Sequence, residues 1–174
     1  MRLALTGTPG TGKTTVTDGL TDGEDPEVDL EPVHLNDVLE REGLYEGVDE
    51  GRDSYVADLD ALREHLAGRD DILVESHLAH HLDVDRVVVL RCHPEELVER
   101  LQDRGAAESE IEENADSEAL DVILGEAVQR RGRDRVYEVD TTDRSPTAVA
   151  REVARVAAGE VEPSAGTVDF TDYL

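Results

Sequence analysis

Short apolar runs recur along the chain: Leu3-Ala4-Leu5, Val33-His34-Leu35, Ile72-Leu73-Val74, Val87-Val88-Val89-Leu90, and a last one within Arg135–Asp140. The Ile72–Val74 and Val87–Leu90 runs lack the alternation of a half-exposed strand and predict strands buried on both faces. Between the runs, apolar residues return every three or four positions, the spacing of an amphipathic helix. Leu59, Leu62 and Leu66 mark a helix over Asp58–Leu66. Pro94 opens another, continued by Leu97, Val98 and Leu101 to Gly105, and Val149, Val153 and Val156 mark a helix over Ser145–Ala158. A first helix is expected from about Gly12 to Leu20, directly behind the strand Arg2–Thr6. Asn36 or Asp37 can cap a further helix through Glu42, ending at Gly43.

Strands separated by helices predict an α/β fold, with a five-stranded parallel sheet in a three-layer αβα arrangement. Right-handed crossovers then put the ligand at the carboxyl ends of the strands. The acidic, proline-bearing stretch Thr21–Pro32 reads as a solvated connection, and Leu44–Asp53, with its glycines and acids, as a loop. Ala106–Asn114 is expected as a short excursion before a longer helix to about Arg131. Residues 1–158 form the expected domain, and 159–174 a loosely ordered tail in which Val168, Phe170, Tyr173 and Leu174 could dock.

Composition adds a strong constraint. Among 174 residues there are 43 acids against 17 basic residues, a net charge of −26. Self-repulsion of that size is tolerable where salt shortens the Debye length to about 3 Å, at 1 M. The acid-rich, lysine-poor balance is that of proteins from salt-in halophiles, and a need for molar salt is expected. A basic protein partner suits the same surface, whereas direct binding of nucleic acid does not. The single cysteine, Cys92, excludes an internal disulfide and fits a reduced compartment. No apolar run reaches membrane-spanning length and the first strand begins at once, so a cytoplasmic protein with no membrane partner is expected.

The chemistry concentrates in Gly7-Thr8-Pro9-Gly10-Thr11-Gly12-Lys13-Thr14, which fits G-x-x-x-x-G-K-[ST] both in residues and in its place between a strand and a helix. Gly10 and Gly12 let the backbone N–H groups turn inward around an anion at the positive end of the helix. Lys13 would reach the β- and γ-phosphates of a nucleoside triphosphate, Thr14 would ligate Mg²⁺, and Thr15 can add a hydrogen bond to the α-phosphate. Lys13 is the one lysine in the chain, kept where a compact ammonium is wanted.

Glu75, at the end of the Ile72–Val74 strand, is the candidate carboxylate for the metal's water shell; the bland alternative is a polar residue that happens to end a strand. His77, two residues on, could orient a water or the acceptor phosphate. No cysteine or second ligand set is spaced with His77, His80 and His81 as a metal centre would need. Among arginines that could close over a transferred phosphoryl group, Arg104 leads, with Arg100, Arg91 and the Arg130–Arg135 cluster behind it; several must simply neutralise acids. A guanine-reading N-K-x-D motif cannot occur with Lys13 as sole lysine, and no D-x-x-G is present, which favours a small-molecule kinase or an ATPase.

These segments together resemble a known family, the small adenylate kinase-like P-loop NTPases of archaea and the eukaryotic nucleus, implicated in late maturation of the small ribosomal subunit. The likeness is carried by GTPGTGKTT at Gly7–Thr15, LYEGVDEGRD at Leu44–Asp53, Glu75-Ser76-His77, VVVLRCHPEELVERLQDRG at Val87–Gly105 and Glu112-Glu113-Asn114. It implies a nucleoside monophosphate kinase core with a monophosphate-binding lobe at about 33–52 and a lid at about 103–114. ATP would sit on Gly10, Gly12, Lys13, Thr14 and Thr15 with Arg104 from the lid, and Lys13, His77 and Arg104 would serve catalysis with Mg²⁺ near Thr14 and Glu75. The resemblance further implies AMP or another monophosphate as acceptor, slow ATPase activity and a basic small-subunit ribosomal protein as partner. Family members often carry Asp at the position of Glu75, and Glu40 and Arg41 stand where an acceptor-binding arginine would be sought. An assembly factor with incidental kinase activity is the rival reading; a metabolite kinase, for shikimate for example, is weakened by the Leu44–Asp53 match.

Overall fold

A computed structural model describes residues 1–22, 27–50 and 54–174. Its frame is a five-stranded sheet of β1 (Arg2–Gly7), β2 (Glu31–His34), β5 (Ile72–Glu75), β6 (Arg86–Arg91) and β7 (Val136–Asp140), in the order β2-β5-β1-β6-β7. Every neighbouring pair in it is parallel. The side-chain period of two divides each strand between two cores. Ala4, Val74, Val87 and Val89 face Leu62, Leu66 and Leu124, while Leu3, Leu5, Leu73 and Val88 face Val16, Val149 and Val153. This is the three-layer αβα arrangement expected from alternating strands and helices.

Helices α1 (Lys13–Thr21), α2 (Leu35–Glu42), α3 (Leu59–His65), α4 (Pro94–Asp103) and α7 (Pro146–Ala158) follow the apolar spacing closely. Local chemistry sets several ends. The Asp58 carboxylate accepts the Ala61 N–H and the Ser145 hydroxyl accepts the Ala148 N–H, while Gly43 and Gly159 close α2 and α7 in the left-handed conformation. Among the described residues no helix is long and apolar enough to cross a membrane.

Four expectations change. Leu44–Asp53 is not wholly a loop: β3 (Tyr45–Asp49) pairs antiparallel with β4 (Ser54–Ala57), and Tyr45 and Tyr55 stack at 4.4 Å between ring centroids. The part of that stretch at 51–53, like 23–26 within the Thr21–Pro32 connection, lies outside the described residues. Most of Ala106–Asn114 is helix rather than an excursion, since α5 runs over Glu108–Ala119, and the expected helix to Arg131 is divided between α5 and α6 (Val122–Arg131), broken where Asp121 takes φ 54°. Leu35 starts α2 rather than ending β2, so His34, not Asn36 or Asp37, occupies the capping position. The tail is docked along part of its length: Phe170 is buried, Leu174 is exposed, and the Glu138 carboxylate accepts the N–H groups of Gly166 and Thr167 at 2.6 and 2.7 Å.

Candidate active site

The loop from Gly7 to Gly12 crosses from the carboxyl end of β1 to α1. Gly10 lies so close to α4 that a Cβ there would meet Leu97 Cδ1 at 2.8 Å, and Gly12 holds φ 96°, a conformation that disfavours any side chain. Thr11 Oγ1 donates to the Thr8 carbonyl at 2.9 Å and fixes the curl of the loop. The first turn of α1 has no acid, so its positive end is left for an anion. Thr14 and Thr15 stand exposed on that turn.

Lys13 folds back on its own loop, where Nζ donates to the carbonyls of Gly7 at 2.9 Å and Thr8 at 3.0 Å. Desolvation pushes its pKa down to about 8 against the opposing charges of Glu75 and Glu118, and the charge of Arg104 adds to the lowering. A phosphate would supply the counter-charge that this ammonium lacks. Glu75 and Arg104, far apart in sequence, are thus both brought within the electrostatic reach of Lys13.

Glu75 ends β5 with its carboxylate mostly buried, and Oε2 contacts His34 Nδ1 at 2.9 Å. Together with the Thr14 hydroxyl it offers the hard oxygen donors that Mg²⁺ prefers. His77 is exposed, and its carbonyl accepts from Thr6 Oγ1 at 3.2 Å. Partial desolvation, then the charges of Lys13, His80 and His81, lower its imidazole pKa below the ordinary value, so the ring is neutral at pH 7. His80 and His81 turn away onto Glu126 of α6, with Nε2–Oε2 distances of 3.0 and 3.5 Å. The fold therefore does supply a third donor to this histidine pair, all within 4.8 Å of one another. The charges of Arg130 and Arg63, which together with burial lower the His81 pKa, oppose a cation there.

A cleft of about 300 Å³ opens beside the loop, between Gly12 and Thr15 on one side, Arg104 on a second, and Thr141, Arg144 and Pro146 on a third. Its lining mixes apolar Pro146 with polar and cationic side chains, a composition that suits a polar ligand beside the phosphate cradle. Arg100 and Arg144, which also line it, are tied into the protein. Arg100 is ion-paired to Glu96 and donates to the Thr141 carbonyl at 3.1 Å, and Arg144 reaches the Asp140 carbonyl at 2.8 Å and Glu152 at 2.7 Å. Arg104, at the end of α4, is exposed.

Arg91, Arg131 and Arg133, by contrast, serve the fold, while Arg130 and Arg135 stand exposed. Arg91 is 1% exposed and meets Glu118 at 2.8 Å, Glu138 and Asp121, with the Phe170 ring 5.3 Å from its guanidinium. Arg131 binds the Leu82 carbonyl and Asp83, and Arg133 the Ala165 carbonyl. Sequence reasoning missed Glu118, whose Oε2 accepts from Thr8 Oγ1 at 2.5 Å and joins the loop to α5. Nothing local distinguishes Glu118 from its acidic neighbours. A glutamate inside an otherwise apolar strand, as at Glu138, was the available sign of a buried ion network.

Residues 3–121 match the family described as an AAA domain. A Halobacterium salinarum protein named "Putative adenylate kinase" is 60% identical, with both chains covered completely. A Natronomonas pharaonis protein of the same name is 58% identical over the full length of both. The namesake from Methanocaldococcus jannaschii is 35% identical, covering 100% of this chain and 97% of its own. Among solved structures, a shikimate kinase from Bacteroides thetaiotaomicron superposes with a TM-score of 0.60 at 16% identity, covering 91% of this chain and 98% of that one. A gluconokinase from Sinorhizobium meliloti reaches 0.52 at 17% identity, covering 91% and 94%. The structural likeness shows a shared three-layer αβα fold, and the full-length identities show more: the chain belongs to the archaeal family that carries the name "Putative adenylate kinase", with halophile members among its relatives.

Proposed function

We propose that the protein is a Mg²⁺-dependent nucleoside monophosphate kinase that transfers the γ-phosphoryl group of ATP to AMP, tolerates other monophosphates and hydrolyses ATP slowly. The observation that carries this reading is the loop with Lys13 folded onto the Gly7 and Thr8 carbonyls, flanked by the cleft of about 300 Å³ and an exposed Arg104. The name of the relatives supports the same reading.

In this reading the loop N–H groups and the positive end of α1 take the β-phosphate, and Lys13 shifts from the Gly7 and Thr8 carbonyls to the β- and γ-oxygens. Arg104 closes over the transferred group, where fixed positive charge is worth most in a site that excludes water. Mg²⁺, held by the Thr14 hydroxyl and through water by Glu75, would neutralise charge on the phosphate oxygens. His77, neutral at pH 7, donates or accepts a hydrogen bond at the acceptor phosphate without adding charge. That phosphate is already a nucleophile, so alignment by the lobe at 33–52 and the lid at 103–114 is nearly the whole mechanism. Water in the acceptor's place gives hydrolysis.

The test is ADP production from ATP–Mg²⁺ in molar KCl, with and without AMP, for wild type, Lys13→Ala and His77→Ala. Acceleration by AMP of orders of magnitude, with two ADP per event, is the expected result; slow turnover indifferent to AMP overturns the kinase reading. The net charge of −26 favours a second reading, a cytoplasmic assembly factor in small-subunit ribosome maturation whose ATP cycle switches affinity for a basic ribosomal protein. Stimulation of ATP hydrolysis by such a protein without AMP would mark that class.

A further inference from the structure

The carboxylate of Glu75 is 11% exposed, and a charge buried to that degree requires a partner. Its partner comes from the neighbouring strand. β2 and β5 run parallel with His34 and Glu75 as in-register neighbours, and the His34 ring lies against the carboxylate at 2.9 Å. The other ring nitrogen, Nε2, faces Asp18 of α1 at 3.7 Å. His34 therefore spans the carboxyl edge of the sheet from the helix behind the phosphate loop to the end of β5. It is also the last residue of β2 and the capping residue of α2, the helix of the proposed acceptor lobe.

We infer that His34 is a positioning residue: it holds the Glu75 carboxylate in the orientation that serves the nucleotide-bound metal, and it ties that orientation to the start of α2. The inference rests on the nucleotide-binding reading of the site. The physical case is one of alternatives. Glutamate has one more rotatable bond than aspartate, and a carboxylate with that freedom next to Lys13 can collapse onto the ammonium when no nucleotide is present. A hydrogen bond from the in-register imidazole takes one oxygen out of that competition and leaves the other for the metal's water shell. Outer partners of this kind commonly change metal affinity by about 10- to 100-fold when removed. Because the same residue caps α2, a shift of the lobe about that cap must move the ring, and with it the carboxylate.

The test reads metal rather than turnover. Mn²⁺ binding to the ATP-loaded protein, followed by electron paramagnetic resonance in molar KCl without any acceptor, is compared for wild type, His34→Ala, His34→Asn, Glu75→Gln and the His34→Ala/Glu75→Gln double variant. The expected result is about tenfold weaker Mn²⁺ binding in His34→Ala. His34→Asn, which keeps a donor at the strand end, should recover most of it. The double variant should be no weaker than Glu75→Gln alone, because His34 acts through Glu75. Unchanged Mn²⁺ affinity in His34→Ala, or an equal further loss in the Glu75→Gln background, overturns the inference. A purely structural role would lower thermal stability and leave metal affinity alone, and His34→Asn guards against a poorly folded alanine variant. Failure of AMP to accelerate ATP turnover would remove the kinase reading while leaving this binding experiment intact.

Discussion

The two sides of the phosphate loop are built on opposite terms. On the β6–β7 side a buried charge network is paired within itself: Arg91 meets Glu118, Asp121 and Glu138, Glu138 is held further by tail N–H groups, and Glu118 reaches back to Thr8. On the β5 side, and across the cleft, the groups are left partly available. His77 is exposed, Arg104 is exposed, and the Glu75 carboxylate meets His34 of the neighbouring strand. The difference teaches that an arginine's position near the loop does not make it part of the chemistry. Arg91 and Arg104 both fall near the carboxyl edge of the sheet by sequence order, and burial with matched acids decides that Arg91 is scaffold.

Substitutions separate the two sides. The largest effect is expected from Lys13→Ala, a loss of about 10²- to 10³-fold in phosphoryl transfer with the fold retained, read by coupled ADP assay and circular dichroism. Next, Arg104→Ala should lower turnover by about 10²-fold while leaving the denaturation midpoint in place, since an exposed side chain carries little stability. Arg91→Ala should do the reverse to stability, costing about 3–5 kcal/mol because three carboxylates lose their common partner, two of them buried. Guanidinium chloride would alter the salt, so urea titration at fixed KCl is the appropriate measurement. If Arg91→Ala is stable and inactive, the contrast drawn between the two sides fails.

Thr8→Val probes the link between them. Removing the hydroxyl leaves the buried Glu118 oxygen without its donor, a loss of about 1–3 kcal/mol by urea titration, with a smaller change in turnover than Lys13→Ala. The smallest expected signal is a proton. Lys13 has its pKa pushed down to about 8 in the folded, ligand-free state. The unfolded chain therefore binds more protons between about pH 8 and the ordinary lysine value. The handicap to folding is full below about pH 8 and shrinks as pH rises through that window. Triphosphate binding restores the counter-charge, so ATP binding at pH 8.5 should take up a fraction of a proton. Calorimetry in two buffers of different ionisation enthalpy reads it, and it should vanish in Lys13→Ala.

Much of this organisation is legible in the residues alone. The loop is local, and its glycines, lysine and threonines carry their meaning within eight positions. The apolar spacing likewise places β1, β5, β6, α4 and α7 with small errors at their ends. The hairpin of β3 and β4 escaped because its Tyr45, Val48, Tyr55 and Val56 are all exposed and its acids and glycines imitate a loop. The break between α5 and α6 escaped because it turns on the backbone of Asp121, which no periodicity reveals.

The sequence by itself determined the chemistry on offer and the alternation of the five sheet strands with helices, since both follow from short-range spacing and backbone sterics. Only the tertiary structure decided which charges remain free to use that chemistry. Thr8 and Glu118 stand 110 residues apart, His34 and Glu75 stand 41 apart, and in a chain with 43 acids any arginine has many conceivable partners. Pairing among them is settled by which side chains the sheet register and helix packing bring into one low-dielectric space, where an unmatched charge costs too much to persist.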